Sequence, residues 1–220
     1  AQAAGAHAAA ALRRPELRGV AVRNSMAVFH LGQAVNIKDL AAVLPNVTSI
    51  QGSERTLRVS KMGPPKWTAQ IHKSGVACVY ARLEGEELRR AAKTLARLVQ
   101  QRCCPGVTFK RYKVANVVVV ARVDFRVDLE GLVEEVAGDA PPPPEEEEEE
   151  EGEALGAGRR PPQLLHRGAG KVSLGIPSGV EDLPAVEVTV FESGALLALR
   201  SRGLHHALPS LQSLVPLLAR

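Results

Sequence analysis

The sequence predicts an α+β fold in which helices cover one face of an antiparallel sheet. Two observations lead to this prediction. The same order of strands, hairpin and helices occurs twice, and short strands are bunched between helices and joined by hairpin turns. The chain has 220 residues, of which 45% are hydrophobic and 24% are charged. This length and composition are typical of a globular protein with one or two domains.

A repeat is visible at two places in the chain. Residues 22–29 (VRNSMAVF) recur as 114–121 (VANVVVVA), with an asparagine in the same place 92 positions later. Residues 69–75 (AQIHKSG) recur as 188–194 (VTVFESG), 119 positions later, and both end in a Ser-Gly pair typical of a hairpin turn. Because the two offsets differ by 27 residues, the second copy carries an insertion of that length.

The insertion has the composition of a disordered chain. Residues 138–168 include four consecutive prolines and the run Glu145–Glu151, and such a segment cannot bury enough apolar surface to fold. We predict disorder for 138–168 and for the alanine-rich residues 1–18. The first repeat then covers 19–105, and the second covers 106–137 together with 169–220.

Charge is unevenly distributed along the chain. The net charge is +4, and Glu145–Glu151 with Glu153 contribute eight acidic residues without a base, so the rest of the chain carries +12. A basic body of this kind is typical of a protein with an anionic partner, although it also fits a basic surface that is merely solvated. We expect the acidic segment either to be a solubilising loop or to compete for that basic surface.

The elements of the first repeat follow from local signals. Residues 36–44 are predicted to be a short helix between Asn36, an N-cap, and Pro45, which stops it. Residues 83–101 have apolar residues at helical spacing, with Glu in the first turn and Arg102 at the end. Strands are predicted at 20–30, 55–62, 66–73 and 75–82.

The second repeat has the same order. A strand at 112–121 precedes a helix near 129–136, and a strand at 171–176 precedes a hairpin at 184–200. The last helix, 203–219, is predicted to be interrupted by Pro209.

Signals for catalysis, metal binding and membranes are weak. Cys103 and Cys104 are adjacent and lack a second pair or a histidine at zinc spacing, and three cysteines in this length fit a reducing compartment. His205 and His206 are adjacent and cannot face one site. There is no Gly-rich phosphate loop, nucleophile elbow or membrane-length apolar run. We therefore expect no enzyme, no cofactor, no metal, no small-molecule substrate and no membrane partner.

Several segments resemble the core domain of the TATA-box-binding protein family. The most specific are 112–116 (YKVAN) and 125–133 (FRVDLEGLV), and the others are 22–32, 65–75, 89–100 and 214–218. Roughly residues 19–136 and 171–219 are covered. The resemblance implies a pseudo-twofold saddle whose sheet of about ten strands is concave toward DNA and whose helices, on the convex face, meet other transcription factors.

The resemblance also implies a set of DNA-binding residues on the concave face. The positions of the family's four intercalating phenylalanines are occupied by Arg55, His72, Leu174 and Phe191. The two central asparagines are present as Asn24 and Asn116. The flanking apolar positions hold Met26, Val118, Cys78 and Leu197, and Lys61 matches a phosphate-contacting base.

Strand alternation supports this placement and shows what has changed. Alternation puts Gln70, His72, Thr189 and Phe191 on the concave face, and Ala69, Ile71, Val188 and Val190 on the helix side. Tyr80 and Leu199 stand where the family has threonine. Glu54, Val76, Leu83, Val180 and Ala195 stand where the family has basic residues. Because each lost phosphate contact removes about one counterion from binding, we expect DNA affinity, TATA preference and kinking to be reduced.

The function implied is a nuclear transcription initiation factor that binds the DNA minor groove and recruits general transcription factors. Arg89, Arg90, Lys93 and Arg97 lie along one side of the long helix, where the family meets transcription factor IIA. A contact with factor IIB is left open, because the insertion replaces the loop that carries it. The alternative is a protein-interaction module that does not bind DNA and that sequesters or scaffolds general transcription factors.

Overall fold

The computed structural model describes residues 16–49, 55–138, 161–178 and 183–219. These residues contain ten strands and four helices, in the order β-α-β-β-β-β-α, which occurs twice. The first set is β1 (Arg18–His30), α1 (Ile37–Val43), β2 (Val47–Ser49), β3 (Thr56–Lys61), β4 (Trp67–His72), β5 (Val76–Ala81) and α2 (Gly85–Arg102). The second set is β6 (Lys110–Arg122), α3 (Leu129–Gly138), β7 (Gln163–Gly168), β8 (Lys171–Ile176), β9 (Val186–Phe191), β10 (Ala195–Ser201) and α4 (Leu204–Leu218).

The ten strands form one antiparallel sheet, in the order β2-β3-β4-β5-β1-β6-β10-β9-β8-β7. The predicted fold class, an α+β fold with an antiparallel sheet of about ten strands, is confirmed. By its contacts the chain divides into two compact units. Of the described residues, the first unit comprises those within 21–119 and 199–207, and the second comprises 16–20 with those within 120–198 and 208–219.

In the first unit, alternate side chains of the strands pack under the helices. Ala69 and Ile71 of β4 are fully buried, as predicted, while Gln70 and His72 between and after them are only half-buried. Helix α2 buries one apolar side against this sheet, which consists of Leu88, Ala91, Ala92, Leu95, Ala96 and Val99. We call this side of the sheet the helix side, and the opposite side the open face.

The short helix α1 begins where the sequence predicts. The side-chain oxygen of Asn36 accepts a hydrogen bond from the Lys38 N–H (3.0 Å), which satisfies one of the free donors in the first turn. In the second unit, Asp128 does the same for α3, since its Oδ1 accepts from the N–H groups of Glu130 (3.0 Å) and Gly131 (3.2 Å).

The two Ser-Gly turns are hairpins of the same geometry. Gly75 has φ +86° and Gly194 has φ +80°, a conformation that glycine adopts without steric cost. The N–H of Gly75 donates to the His72 carbonyl and the N–H of Gly194 to the Phe191 carbonyl, each at 2.9 Å.

Two predictions about the second repeat are wrong. Residues 163–168, within the segment predicted to be disordered, form β7, because they pair with β8 despite lacking an alternating pattern. The pairing register between β7 and β8 shifts between Leu164 and His166, where β7 is irregular. Pro209 does not interrupt the last helix, since α4 continues through it and Pro216.

The prolines are tolerated because the other side of α4 is anchored. Leu211, Leu214 and Leu218 are almost fully buried, while Pro209 is half-buried and Pro216 is exposed. Each proline removes one backbone hydrogen bond, and burial of the apolar side offsets that loss. The strand β2, three residues long, was not predicted. Residues 1–15 and 139–160 lie outside the described residues, so their predicted disorder stays a prediction.

Candidate nucleic-acid interface

Strand pairing defines the open face of the first unit. Residues directly opposite each other on neighbouring strands point to the same face. One cross-strand row is Arg58, Gln70, Cys78 and Val28, and the next is Ser60, Thr68, Tyr80 and Met26. Val28, Met26, Cys78 and Tyr80 are half-buried. In both rows the side chains therefore change from polar on β3 and β4 to apolar on β1.

A polar cluster lies at the β3–β5 end of this face. The Tyr80 hydroxyl donates to Gln70 Oε1 (3.4 Å), and the Ser60 and Thr68 hydroxyls are 3.4 Å apart. Burial raises the pKa of Tyr80 above its ordinary value, and the neighbouring Arg58 guanidinium offsets part of that rise. The phenol is therefore protonated at neutral pH and remains a hydrogen-bond donor.

The two asparagines predicted from the repeat differ in their surroundings. Asn24 of β1 is exposed, whereas Asn116 of β6 is half-buried. The Asn116 Oδ1 has less than 1 Å² of exposed surface and accepts no hydrogen bond from any described residue. A buried acceptor without a partner costs about 1–3 kcal/mol. Packing within the described chain therefore does not account for an amide at this position.

The predicted apolar positions are on the open face. Met26, Val118 and Cys78 are half-buried there, and their neighbours in sequence on the same strands are buried on the helix side. Leu199 of β10 has the same half-buried environment. Burial raises the pKa of the Cys78 thiol, so this side chain is neutral at pH 7.

We call the four positions of the intercalating phenylalanines the wedge positions. The two in the first unit, Arg55 and His72, are polar and have contacts to the backbone. His72 is half-buried, its Nδ1 accepts from the Ser74 N–H (3.2 Å), and the Ser74 hydroxyl is 2.8 Å away. Arg55 is exposed just before β3, and its carbonyl accepts from the Lys73 N–H (2.8 Å). Lys61, at the end of β3, donates from Nζ to the carbonyls of Pro64 (2.9 Å) and Pro65 (3.3 Å).

In the second unit, Phe191 is on the open face as predicted. It is half-buried, opposite the exposed Lys171, and lines a shallow cavity of about 450 Å³ with Arg122 and Arg126. Arg126 also forms an ion pair with Glu192. Leu197 is half-buried, between the buried Leu196 and Ala198. The second unit thus presents an aromatic ring beside basic side chains.

The prediction that Leu174 is a wedge is wrong. Leu174 is fully buried and lies directly opposite Val188, which is on the helix side. The residue opposite Phe191 is Lys171 instead. Thr189 is on the same face as Phe191, as alternation predicts, but it is 7% exposed and its hydroxyl lies 3.0 Å from that of Ser173.

The four basic residues predicted on the long helix are all exposed on α2. Arg89 stacks over the Tyr112 ring, with its guanidinium carbon 5.7 Å from the ring centroid. The Arg90 Nε lies 4.0 Å from Oε1 of Glu86, one turn earlier in the helix. Lys93 and Arg97 extend the same side of the helix. This basic stripe lies on the helix side of the first unit, away from the open face.

The cysteines and histidines of the described residues do not form a metal site. Cys103 and Cys104 are free thiols with sulfur atoms 3.4 Å apart, and burial raises the pKa of Cys104 to about 11. His206 is fully buried while His205 is exposed. No group of three metal-ligating side chains occurs among the described residues, and no helix there has the length and hydropathy to cross a membrane.

Comparison with known proteins agrees with this architecture. No protein-family model and no curated protein matches the sequence. Among solved structures, Methanococcus jannaschii TBP matches with a TM-score of 0.58 and 18% identity, over 91% of this chain and 98% of that chain. The chain has a TBP-like fold. At 18% identity this likeness shows the fold alone.

Within this TBP-like fold, sequence reasoning missed exposed basic residues of the open face, which include Arg58, Arg122 and Lys171. Arg58 is exposed opposite Gln70, in the middle of the first unit's polar cluster. The alternation that placed Gln70 and His72 correctly also assigns Thr56, Arg58 and Ser60 to the same face. The signal was therefore present in the sequence of β3.

Proposed function

We propose that this protein is a TBP-like transcription initiation factor that binds duplex DNA in the minor groove and recruits general transcription factors in the nucleus. The observation that carries the proposal is the first unit's open face, where Met26, Val118 and Leu199 form half-buried apolar surface beside two asparagines. Minor-groove binders combine apolar contacts with asparagine and arginine side chains in this way.

The electrostatics of the open face favour DNA over a neutral ligand. Arg58 in the first unit and Lys171 and Arg122 in the second are exposed. Asparagine amides at Asn24 and Asn116 can donate to the acceptors that every base pair presents in the minor groove. This combination supports binding, not catalysis, so we propose no enzymatic activity and no cofactor.

The same face supports a weakened or altered preference for TATA. Phe191 is the aromatic ring left at the four wedge positions, since Arg55 and His72 are polar and Leu174 is buried in the core. With fewer apolar wedges, less of the cost of unstacking base steps is repaid. The DNA is therefore bent less than a sheet with four aromatic wedges would bend it.

One observation favours the second candidate, a protein-interaction module that sequesters or scaffolds general transcription factors. The basic stripe Arg89, Arg90, Lys93 and Arg97 is exposed on the helix side and complements an acidic partner. In the leading proposal the same stripe binds transcription factor IIA while the open face holds DNA. The insertion leaves a contact with factor IIB outside the proposal.

Two variants of equal charge change separate these functions. Val118→Glu places a carboxylate on the open face, and Thr94→Glu places one on exposed α2. We expect Val118→Glu to raise the Kd for a 20-base-pair duplex at least about tenfold, because the carboxylate repels phosphates and resists desolvation. Thr94→Glu should change it less than about twofold. Fluorescence anisotropy at two salt concentrations measures both.

Two results would contradict duplex binding at the open face. One is an equal increase in Kd for Val118→Glu and Thr94→Glu, and the other is no duplex binding by the wild-type protein at low salt. If Lys93→Glu and Arg97→Glu then abolish binding to factor IIA, the interaction module is the correct function. Thermal melting of each variant checks that the fold is intact.

Cys78 reports occupancy of the open face directly. Because burial raises its pKa, the thiol is mostly protonated near neutral pH, and alkylation by iodoacetamide accelerates as rising pH forms more thiolate. At pH 8.5 we expect saturating duplex to slow alkylation of Cys78 at least about fivefold. Cys103 and Cys104, at the end of α2, are internal controls whose rates should not change. Equal rates at Cys78 with and without bound DNA would place the DNA elsewhere.

A further inference from the structure

Tyr80, on the open face of the first unit, lines two clefts. One cleft, of about 520 Å³, is lined by Asn24, Arg58, Thr68, Gln70 and Tyr80. The other, of about 640 Å³, shares Asn24, Thr68 and Tyr80 with the first. These three residues therefore border both clefts, and the half-buried Tyr80 has the largest side chain among them.

The second cleft is strongly basic. Its lining includes four cationic residues, which are Arg23, Lys61, Lys66 and Arg82. No carboxylate occurs among the described residues that line either cleft. Arg23, Lys66 and Arg82 are exposed, while Lys61 Nζ donates to two carbonyls of the β3–β4 turn. A cleft with this charge fits a ligand that carries phosphate groups.

The first cleft has a different character. Gln70 Oε1 accepts from Tyr80, which fixes the side-chain amide and the phenol relative to each other. Asn24, Thr68 and Gln70 supply side-chain donors and acceptors, and Arg58 supplies donors only. An aromatic ring bordered by amides is the surface on which an unpaired base stacks and forms hydrogen bonds along its edge.

We propose that the first unit's open face binds an unpaired nucleotide of a single strand, with its base on the Tyr80 ring in the first cleft and adjacent phosphates in the basic cleft. A base within a duplex is already stacked on both sides, so it cannot use the ring in this way. This site goes beyond the proposed function. It shares Asn24 with the proposed duplex surface but makes no use of Val118, so the two sites can be tested separately.

The probe is a 12-nucleotide DNA strand with 2-aminopurine at its centre, whose fluorescence falls when the base stacks. We expect the fluorescence to be quenched by the wild-type protein and by Tyr80→Phe, which keeps the ring. Tyr80→Ala should abolish the quenching and raise the Kd about tenfold, as expected for the loss of one stacked base. Tyr80→Phe should change the Kd less than about threefold.

Salt dependence tests the basic cleft. For single strands, the slope of log Kd against log salt changes by about 0.7 for each phosphate contact. Arg82→Gln should lower that slope by about 0.7, and Arg97→Gln, the same change of charge on α2, should leave it unaltered. Equal slopes for both variants would show that Arg82 in the basic cleft makes no phosphate contact.

The proposal is overturned if Tyr80→Ala binds and quenches the strand like the wild-type protein. It is also overturned if the strand does not bind, or binds without quenching. Val118→Glu separates this site from the duplex site, since it should weaken the duplex and spare the strand. If the wild-type protein does not bind the duplex but quenches the 2-aminopurine fluorescence of the strand, the proposed function is refuted and this inference stands.

Discussion

Leu174→Ala is expected to lower the free energy of unfolding by about 2–5 kcal/mol, the usual cost of removing a fully buried leucine side chain. Leu174 is 0% exposed, opposite Val188 on the helix side of the second unit, and the truncation leaves a cavity there. Leu164→Ala is the matched control, because Leu164 pairs with Leu174 from β7 but is 40% exposed. Its cost should be below about 1 kcal/mol. Urea denaturation followed by circular dichroism measures both.

The same residue gives a second readout on DNA. Under conditions in which Leu174→Ala is fully folded, it should bind and bend a TATA duplex like the wild-type protein. Phe191→Ala should weaken binding and reduce energy transfer between dyes at the duplex ends, because it removes the aromatic wedge of the second unit. If Leu174→Ala lost DNA binding without losing stability, Leu174 would contact DNA after all.

Gly75→Ala is expected to destabilise the first unit by about 2–4 kcal/mol, the combined cost of a positive φ and a steric clash. A Cβ at Gly75 would lie 1.9 Å from the carbonyl oxygen of Gln33, a backbone atom that cannot move aside cheaply. Gly194 has a similar conflict, with a Cβ 2.4 Å from the Phe125 carbonyl oxygen.

Gly170→Ala separates the two causes. Gly170 has φ +68° but no atom within 4 Å of a built Cβ, so this variant carries only the conformational cost, about 1–2 kcal/mol. Equal destabilisation at Gly75 and Gly170 in a chemical melt would mean that the close approach to Gln33 contributes nothing.

Local signals predicted most elements of the fold. Asn36 caps α1, and the Ser-Gly pairs form the two hairpins, because these features depend on residues only a few positions apart. Strand β7 was missed because its side chains do not alternate, and it is a strand only through its pairing with β8. Helix α4 continues past Pro209 because burial elsewhere on the helix outweighs a local rule.

The side chains of the candidate interface were placed on the correct face where a short turn fixes the strand register. Gln70 and His72 lead into the tight turn at Gly75, and Phe191 leads into the one at Gly194, so alternation counted from these turns placed them correctly. Leu174 was misplaced because no short turn fixes the distance from β8 to β9 in the sequence, and an error of this kind moves a side chain from one face to the other. The unpartnered Asn116 oxygen and the two clefts beside Tyr80 depend on three-dimensional packing, which a linear pattern does not contain.

The irregularity in β7 bears on self-association. β7 is the last strand in the sheet order, and Leu164 and Leu165 on it are 40% and 53% exposed. A straight terminal strand with two exposed leucines offers unpaired backbone groups to a strand of another chain. The register shift between Leu164 and His166 breaks the regular spacing of those groups, so an incoming strand could pair along only part of the edge. At the opposite end of the sheet order, β2 is three residues long and offers little length for such pairing.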